Sequence, residues 1–199
     1  MASNCGSKGA KLRLKYVEEM MKTVPSIERY GKCFSAQIPW SEVFKVAASS
    51  KFYLAFENSL HCKDYITEKF YTLGYIMETV PVVWGTRKAD YLRVAPPHSF
   101  IHTDDFSSPE ELGTYLLYLD SNATAYREYF KWREDPEKSW DDLMLEVERE
   151  HPGVKTLRYN STGYDLLCDK LFKDERPKVI PSLRHLVFDT ESPDCTSKT

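Results

Sequence analysis

Two polar clusters in the middle of the chain combine residue types that bind phosphate and sugar hydroxyls. The first, Glu57–Ser59, supplies a carboxylate, an amide and a hydroxyl. In the second, Asp64 or Thr67 can cap a helix through a side-chain oxygen. Glu68 can accept hydrogen bonds from sugar hydroxyls, and Lys69 adds a mobile positive charge for phosphate. A helix that begins here also offers N–H groups and its positive dipole end, so the two clusters favour an anionic ligand that carries hydroxyl groups.

Each of these features also has a purely structural interpretation. An ordinary capped helix carries Glu and Lys on its surface, and polar side chains after a strand commonly bind loop backbone. Arg13, near the start of a predicted helix, is either a solvated surface charge or a planar fork that faces a bound phosphate. Sequence spacing does not choose between these interpretations, so both stay open at this level.

The elements that position the clusters are a strand, a helix and a second strand. Phe52–Phe56 and Val80–Trp84 are short apolar runs typical of buried strands, and the second cluster lies where the helix between them begins. Strands alternate with helices up to about residue 120, which favours the α/β class with a parallel, Rossmann-like sheet. In such sheets ligands bind outside the carboxyl ends of the strands, where both clusters fall.

Apolar periodicity and capping residues predict further elements on both sides of this segment. Ser108 as the cap and Pro109 as the first helical residue begin a helix that runs to about Leu119. The other predicted elements are a helix over Lys8–Lys22, a strand over Ile27–Tyr30, a strand over Phe100–His102, and helices over Ser121–Arg133 and Trp140–Glu150.

Composition argues against several classes of function. The chain has 199 residues, of which 42% are hydrophobic, enough for one globular domain with a sizeable core. Its formal net charge of −3 argues against nucleic-acid binding. It has no CxxC pair, no metal-ligand spacing of histidines, and no Walker A, G-x-G-x-x-G, G-x-S-x-G or H-E-x-x-H motif. No apolar run approaches the roughly 20 residues that span a bilayer, and residues 1–16 lack the apolar core of a signal peptide.

The central segment resembles the signature of the α-1,3-fucosyltransferases, which form glycosyltransferase family 10. The resemblance is carried by FYLAFENSLHCKDYITEKFY, which begins at Phe52, and by TVPVVWG, which ends at Gly85. Further residues that are similar to those of the family occur in the same order, so the resemblance covers about residues 3 to 135. They include Ser3–Cys5 with Arg13 and the run Tyr129–Arg133. The combination of FENS, DYITEK and VPVV is long and specific.

The resemblance implies a two-domain GT-B architecture, of which this chain is similar to the C-terminal, donor-binding half. In the family that half binds GDP-fucose, and the N-terminal half supplies most acceptor contacts and the carboxylate general base. The resemblance therefore implies no catalytic residue in this chain, no metal and no cofactor beyond the donor substrate. Arg13 and Lys69 would neutralise the diphosphate, and Glu68 would hold hydroxyls of the donor. The residues implied to bind GDP-fucose are Arg13, Asn58, Ser59, Tyr65, Glu68 and Lys69.

The expected activity is inverting transfer of L-fucose from GDP-fucose to a glycan acceptor, through an α-1,3 linkage. The alternative is a non-catalytic GDP-sugar-binding fragment, because the resemblance places the acceptor half and the base outside this chain and implies weak or no transfer by the chain alone. Residues 1–135 are expected to form the donor-binding domain, 136–176 its helical extension and 177–199 a flexible tail. Full-length relatives are membrane-anchored, which implies the lumenal side of the Golgi membrane.

Two segments depart from the family pattern. The loop between Ser59 and Asp64 and the helix between Lys69 and Val80 each have about one residue more than in many relatives. One additional residue in a helix rotates all later residues of that helix by about 100°, so we expect a loop or bulge to absorb it. This departure affects the end of the helix more than its start at Glu68 and Lys69.

Overall fold

A parallel three-stranded sheet lies at the centre of the protein. A computed structural model describes residues 5–59, 62–71 and 78–156. The strands are β1 (Phe52–Phe56), β2 (Val80–Trp84) and β3 (Ile101–His102), hydrogen-bonded in the order β1–β2–β3. Both ladders are parallel, with Phe56 opposite Trp84 and Val83 opposite His102. The predicted α/β class with a parallel sheet is confirmed.

Each face of the sheet packs against its own apolar cluster. Because side chains alternate between the faces of a strand, Phe56, Val82 and Ile101 point to one side and Ala55 and Val83 to the other. The first cluster also contains Met20, Leu112, Leu116 and Leu119, and the second contains Phe70, Tyr91 and Phe100. All five residues of β2 are buried, as expected of a central strand in a parallel sheet.

Six α-helices surround the sheet in the described ranges. They are α1 (Lys8–Met20), α2 (Trp40–Ala48), α3 (Lys88–Leu92), α4 (Pro109–Ser121), α5 (Ala123–Arg127) and α6 (Trp140–Glu150). Within the described ranges, three 3₁₀ turns span Lys32–Phe34, Thr103–Asp105 and Glu128–Arg133. The predicted helices at α1, α4 and α6 are confirmed, and the Ser108 side chain caps α4 by accepting from Glu111 N at 3.2 Å. The predicted helix over Ser121–Arg133 is divided into α5, capped by Asn122, and the last 3₁₀ turn.

The predicted strand over Ile27–Tyr30 is wrong. Local turns bound the segment at both ends: Ile27 N donates to Val24 O at 3.3 Å, and Gly31 N donates to Ala36 O at 2.9 Å. A cavity of about 510 Å³, lined by Ile27, Tyr30, Phe52 and Leu54 among others, also borders both this segment and β1. All four residues of the segment, charged and apolar alike, border this cavity and are not paired to the sheet.

Several predictions concern residues outside the described ranges. They concern the later part of the predicted helix that begins near Glu68 (residues 72–77), the expected extension beyond residue 156, and the expected tail over 177–199. No helix in the described ranges is both long and apolar enough to cross a bilayer.

A disulfide joins Cys5 to Cys33, 28 residues further along the chain. It fixes the segment before α1 to the 3₁₀ turn Lys32–Phe34 and so closes a loop that the unfolded chain would otherwise leave open. The spacing of the five cysteines in the sequence does not specify this connectivity.

His102, at the end of β3, makes folding stability depend on pH. Its Nε2 donates to Thr86 O at 3.0 Å, and its Nδ1 accepts from Asp104 N at 3.0 Å, an arrangement that suits the neutral ring. Burial lowers the pKa of His102 below 6.5, although Asp104 and the Thr86 carbonyl oppose the shift. Below pH 6.5 the unfolded chain therefore binds more protons than the folded one, and stability falls as the pH decreases towards the folded pKa.

We expect the free energy of unfolding to fall by about 1 kcal/mol more in the unaltered protein than in His102→Asn when the pH is lowered from 7.5 to 5.5. Asparagine keeps an acceptor for Asp104 N but does not titrate. Urea unfolding at both pH values measures the difference. Equal pH dependence in the two proteins would contradict this role of His102.

Candidate functional site

Polar groups converge at the carboxyl ends of β1 and β2. Glu57 follows β1 directly, and its N–H donates to Trp84 O at 2.9 Å, which continues the ladder to β2 by one residue. Gly85 follows β2 with a φ of 118°. A Cβ built on Gly85 would lie 2.7 Å from the Glu57 Cβ, so the two strand ends are in close contact. This is the edge at which sequence reasoning placed the ligand.

The Glu57 carboxylate is the centre of the site. Its side chain is 0% exposed, and both of its oxygens accept hydrogen bonds. Oε1 accepts from Thr67 N at 2.9 Å and from Thr67 Oγ1 at 2.7 Å, while Oε2 accepts from Lys69 Nζ at 3.0 Å. A buried carboxylate is costly unless donors surround it, and these contacts meet that requirement.

Lys69 is held in place by two short hydrogen bonds. In addition to Glu57 Oε2, its Nζ donates to Thr67 Oγ1 at 2.7 Å, and its contact with Glu68 Oε1 is long, at 3.5 Å. An ammonium has three N–H donors, so the third is engaged only weakly. The side chain is 22% exposed. The ammonium is therefore anchored from inside, on a side chain that is partly exposed to solvent.

The helix predicted near Glu68 begins within the described ranges. Residues 68–71 are helical, with 69–71 in a π turn, and Phe70 N donates to Thr67 O at 3.1 Å. Of the two candidate caps, Asp64 and Thr67, Asp64 has another partner: it has a φ of 57° and accepts from Arg93 Nη1 at 2.8 Å. The Thr67 N–H donates to Glu57. The bulge expected between Lys69 and Val80 concerns a segment that includes residues 72–77, which lie outside the described ranges.

Glu68 presents its carboxylate to solvent, with 68% of the side chain exposed. Desolvation opposes ionisation, but a hydrogen bond from its own backbone and the charge of Lys69 together hold the pKa of Glu68 below its ordinary value. The group is therefore an ionised acceptor beside Lys69, which suits a partner that donates from hydroxyl groups.

Arg13 is not a solvated surface charge. The residue is 4% exposed, and its Nη1 donates to Phe56 O at 2.7 Å. Burial lowers the pKa of Arg13 below its ordinary value, while Glu57 raises it by stabilising the charged form. Arg13 contacts Phe56, the last residue of β1, and Lys69 contacts Glu57, the residue that follows it. Both cations therefore lie at the same strand end.

The polar loop after β1 is packed tightly against α1. Tyr65 Oη donates to Asn58 Oδ1 at 2.9 Å, which brings together two of the residues singled out from the sequence. Ser7 Oγ donates to Asn58 O at 3.3 Å. Gly9 lies so close that an added Cβ would be 2.6 Å from Asn58 O and 3.0 Å from the Ser59 carbonyl carbon.

We expect Gly9→Ala to destabilise the protein by about 1–3 kcal/mol, because the Cβ would displace the Asn58 backbone. The sign is diagnostic, since Gly→Ala inside a helix ordinarily stabilises by up to about 1 kcal/mol. Chemical unfolding measures the change. Gly113→Ala in α4 is a comparison variant with a weaker steric clash, because its added Cβ would meet only side-chain atoms, at 3.1 Å or more. A stabilised Gly9→Ala variant would contradict the close packing of α1 on this loop.

Three functional features were missed in the sequence. Glu57 was interpreted as one of several polar loop residues, because its partners Thr67 and Lys69 lie on a different element and no local pattern reports them. The close contacts of Gly9 and Gly85 depend on tertiary packing and leave no periodic pattern.

Nothing in the described ranges brings three or more His, Cys, Asp or Glu side chains together as a metal site.

The comparison with known families identifies the chain. The C-terminal region of glycosyltransferase family 10 (fucosyltransferase) matches residues 1–186. The chain belongs to this family.

Relatives within family 10 support the assignment. The chain is 44% identical over 135 residues to glycoprotein 3-alpha-L-fucosyltransferase A of Drosophila melanogaster, covering 66% of this chain and 26% of that protein. It is 43% identical over 123 residues to the mouse 4-galactosyl-N-acetylglucosaminide 3-alpha-L-fucosyltransferase 9, covering 62% of this chain and 33% of the relative. The chain thus matches about a quarter to a third of the length of these family 10 proteins.

Solved structures support the fold. A crystal structure of an alpha1,3-fucosyltransferase with GDP-fucose aligns with a TM-score of 0.63 at 21% identity, over 90% of this chain and 47% of the other. A second crystal structure of an alpha1,3-fucosyltransferase aligns with a TM-score of 0.61. The family 10 chain therefore has the α/β fold of GT-B fucosyltransferases, over about half of their length.

Proposed function

We propose that this chain is the donor-binding part of an α-1,3-fucosyltransferase and that its site binds GDP-fucose. One observation carries the proposal: the anchored ammonium of Lys69 and the buried guanidinium of Arg13 lie at the same strand end, beside an ionised Glu68. Two cations suit a diphosphate, and an exposed carboxylate suits sugar hydroxyls. Tyr65, hydrogen-bonded to Asn58, and the adjacent Ser59 complete the proposed lining.

In the proposed reaction the bond between fucose and the β-phosphate breaks, and GDP leaves with the electron pair. An acceptor hydroxyl attacks from the opposite face, so the configuration at the sugar carbon inverts, and a carboxylate base takes its proton. That base and the contacts with the glycan belong to an acceptor-binding domain. They are not among the six proposed donor-site residues, Arg13, Asn58, Ser59, Tyr65, Glu68 and Lys69. The role of Arg13 and Lys69 is to stabilise the charge that develops on the diphosphate, which preorganised cations do without reorganisation cost.

The proposal includes the division of the chain and its location. The sheet, Arg13 and Lys69 precede residue 135, and α6 follows it, which supports a donor-binding unit over residues 1–135 and an extension over 136–176. Membership of family 10 supports a role in Golgi glycan modification, on the lumenal side, for an enzyme whose leaving group is stabilised by side chains and not by a metal. The acceptor is a glycan of a glycoprotein or glycolipid.

Calorimetric titration of the chain with GDP, GMP and ADP tests the proposed donor site. We expect GDP to bind at least tenfold more tightly than GMP, because GMP lacks the β-phosphate that meets the two cations. GDP should also bind more tightly than ADP if the site is a guanosine-sugar site. Equal affinity for GDP and GMP, or no binding of GDP at millimolar concentration, would contradict the proposal. Transfer from GDP-fucose to a glycan acceptor, measured in the full-length protein, separates an enzyme from a binding fragment.

A further inference from the structure

We propose that Glu57 is a positioning residue that holds the Lys69 ammonium, directly and through Thr67, where it meets the donor diphosphate. The proposal rests on the proposed function of the site and adds a residue to which sequence reasoning gave no such role. Glu57 itself does not face the ligand, because its side chain is 0% exposed. The part of its effect that depends on hydrogen bonds therefore passes through the two residues that donate to it, Thr67 and Lys69.

The contacts form a closed triangle of hydrogen bonds. Glu57 Oε2 accepts from Lys69 Nζ at 3.0 Å, and the Thr67 hydroxyl lies 2.7 Å and 2.9 Å from the two carboxylate oxygens. Lys69 Nζ lies 2.7 Å from Thr67 Oγ1. A hydroxyl has one hydrogen, so Thr67 donates to the carboxylate and accepts from the ammonium. The ammonium is thus fixed at two points by one buried anion.

This arrangement explains why a carboxylate lies beside Lys69, the cation that is proposed to bind phosphate. Glu57 reduces the net charge at the site, so it does not increase the general attraction for anions. It does immobilise a long, flexible side chain before the ligand arrives, which lowers the ordering cost of binding. The backbone N–H of Thr67, which donates to Glu57 Oε1 at 2.9 Å, fixes the start of the helix in the same way.

Glu57→Gln tests the proposal because it keeps the size of the side chain but not its charge. In either orientation of the amide, one of its N–H groups would face a donor, either Thr67 N or Lys69 Nζ. We expect Glu57→Gln to weaken GDP binding about tenfold. In a Lys69→Met background the same change should alter GDP affinity less than twofold. An equal loss in both backgrounds would overturn the proposal, because it would show an effect that does not pass through Lys69.

A measurement without nucleotide separates this proposal from the proposed function. The rate of amine labelling at Lys69, read by mass spectrometry relative to the 73% exposed Lys45, reports how firmly the ammonium is held. We expect Glu57→Gln to raise the Lys69 rate at least fivefold and to leave the Lys45 rate unchanged. An unchanged Lys69 rate would overturn the role of Glu57. Absence of GDP binding by the unaltered chain would overturn the proposed function, and with it the placement of the diphosphate at Lys69.

Thr67 provides a second pair of variants if Glu57→Gln does not fold. Thr67→Val removes the hydroxyl that links Glu57 to Lys69, whereas Thr67→Ser keeps it. We expect Thr67→Val to raise the labelling rate of Lys69 and to weaken GDP binding, and Thr67→Ser to restore both values to within about twofold of the unaltered chain. Equal behaviour of the two variants would overturn the linking role of the hydroxyl.

Discussion

Lys69→Met is expected to weaken GDP binding by about 10- to 150-fold, which corresponds to about 1.5–3 kcal/mol for the loss of one charge-assisted hydrogen bond. Methionine keeps much of the apolar stem and removes the only part of the side chain that Glu57 and Thr67 hold in place. Calorimetric titration of both proteins with GDP measures the change. The expected result is a large loss of affinity with little change in the apolar contacts of the site.

Two controls make this result specific. Lys45→Met removes an exposed lysine of α2, which is paired with Glu42 at 2.9 Å, and should leave GDP affinity unchanged. Because Lys69→Met also leaves the buried Glu57 without its cation, folding is checked by circular dichroism, and the double variant Glu57→Gln, Lys69→Met relieves that charge. GDP affinity within twofold of the unaltered chain in Lys69→Met would contradict the assignment of Lys69 to the diphosphate.

Gly85→Ala is expected to lower the free energy of unfolding by about 2–6 kcal/mol. The position has a φ of 118°, which an L-residue adopts at a cost of about 1–3 kcal/mol. The added Cβ would also lie 2.7 Å from the Glu57 Cβ, an atom next to the backbone that cannot rotate away, and overpacking of this kind costs a further 1–3 kcal/mol or so. Urea unfolding at neutral pH measures the total.

Gly153→Ala is the matched control for this variant. Gly153 has a φ of 98°, but nothing lies within 4 Å of the Cβ that would be added. The free energy of unfolding of Gly153→Ala should therefore fall only by the cost of the unfavourable φ. The difference between the two variants measures the contact between the strand ends. Equal losses in Gly85→Ala and Gly153→Ala would show that Glu57 is not packed against Gly85 as described.

The strands that hold the site were predictable because each is an uninterrupted apolar run. Phe52–Phe56 and Val80–Trp84 are apolar runs bounded by polar residues, and in a parallel sheet such runs lie between layers of helices. Ile27–Tyr30, in which two apolar residues flank Glu28 and Arg29, is not paired to the sheet: local hydrogen bonds hold its ends, and it borders a cavity that β1 also lines. Apolar composition reports burial and does not report which backbone groups are hydrogen-bonded.

The candidate site was predictable in place but not in connectivity. The types of residue at Glu68 and Lys69 indicated an anion site, and the structure places both at the strand ends. Whether Arg13 is buried depends on how α1 docks against β1, a contact between segments 43 residues apart that no local pattern reports. The same is true of Glu57, whose partners lie on a different element.

A crystal structure of the chain with GDP tests most directly whether Lys69, held by Glu57 and Thr67, contacts the diphosphate of the donor nucleotide. We expect a β-phosphate oxygen within about 3 Å of Lys69 Nζ, with the contact from Glu57 Oε2 to Lys69 retained and Arg13 on the same side of the diphosphate. GDP bound at another surface, or at this edge with its phosphates turned away from Lys69, would contradict the account.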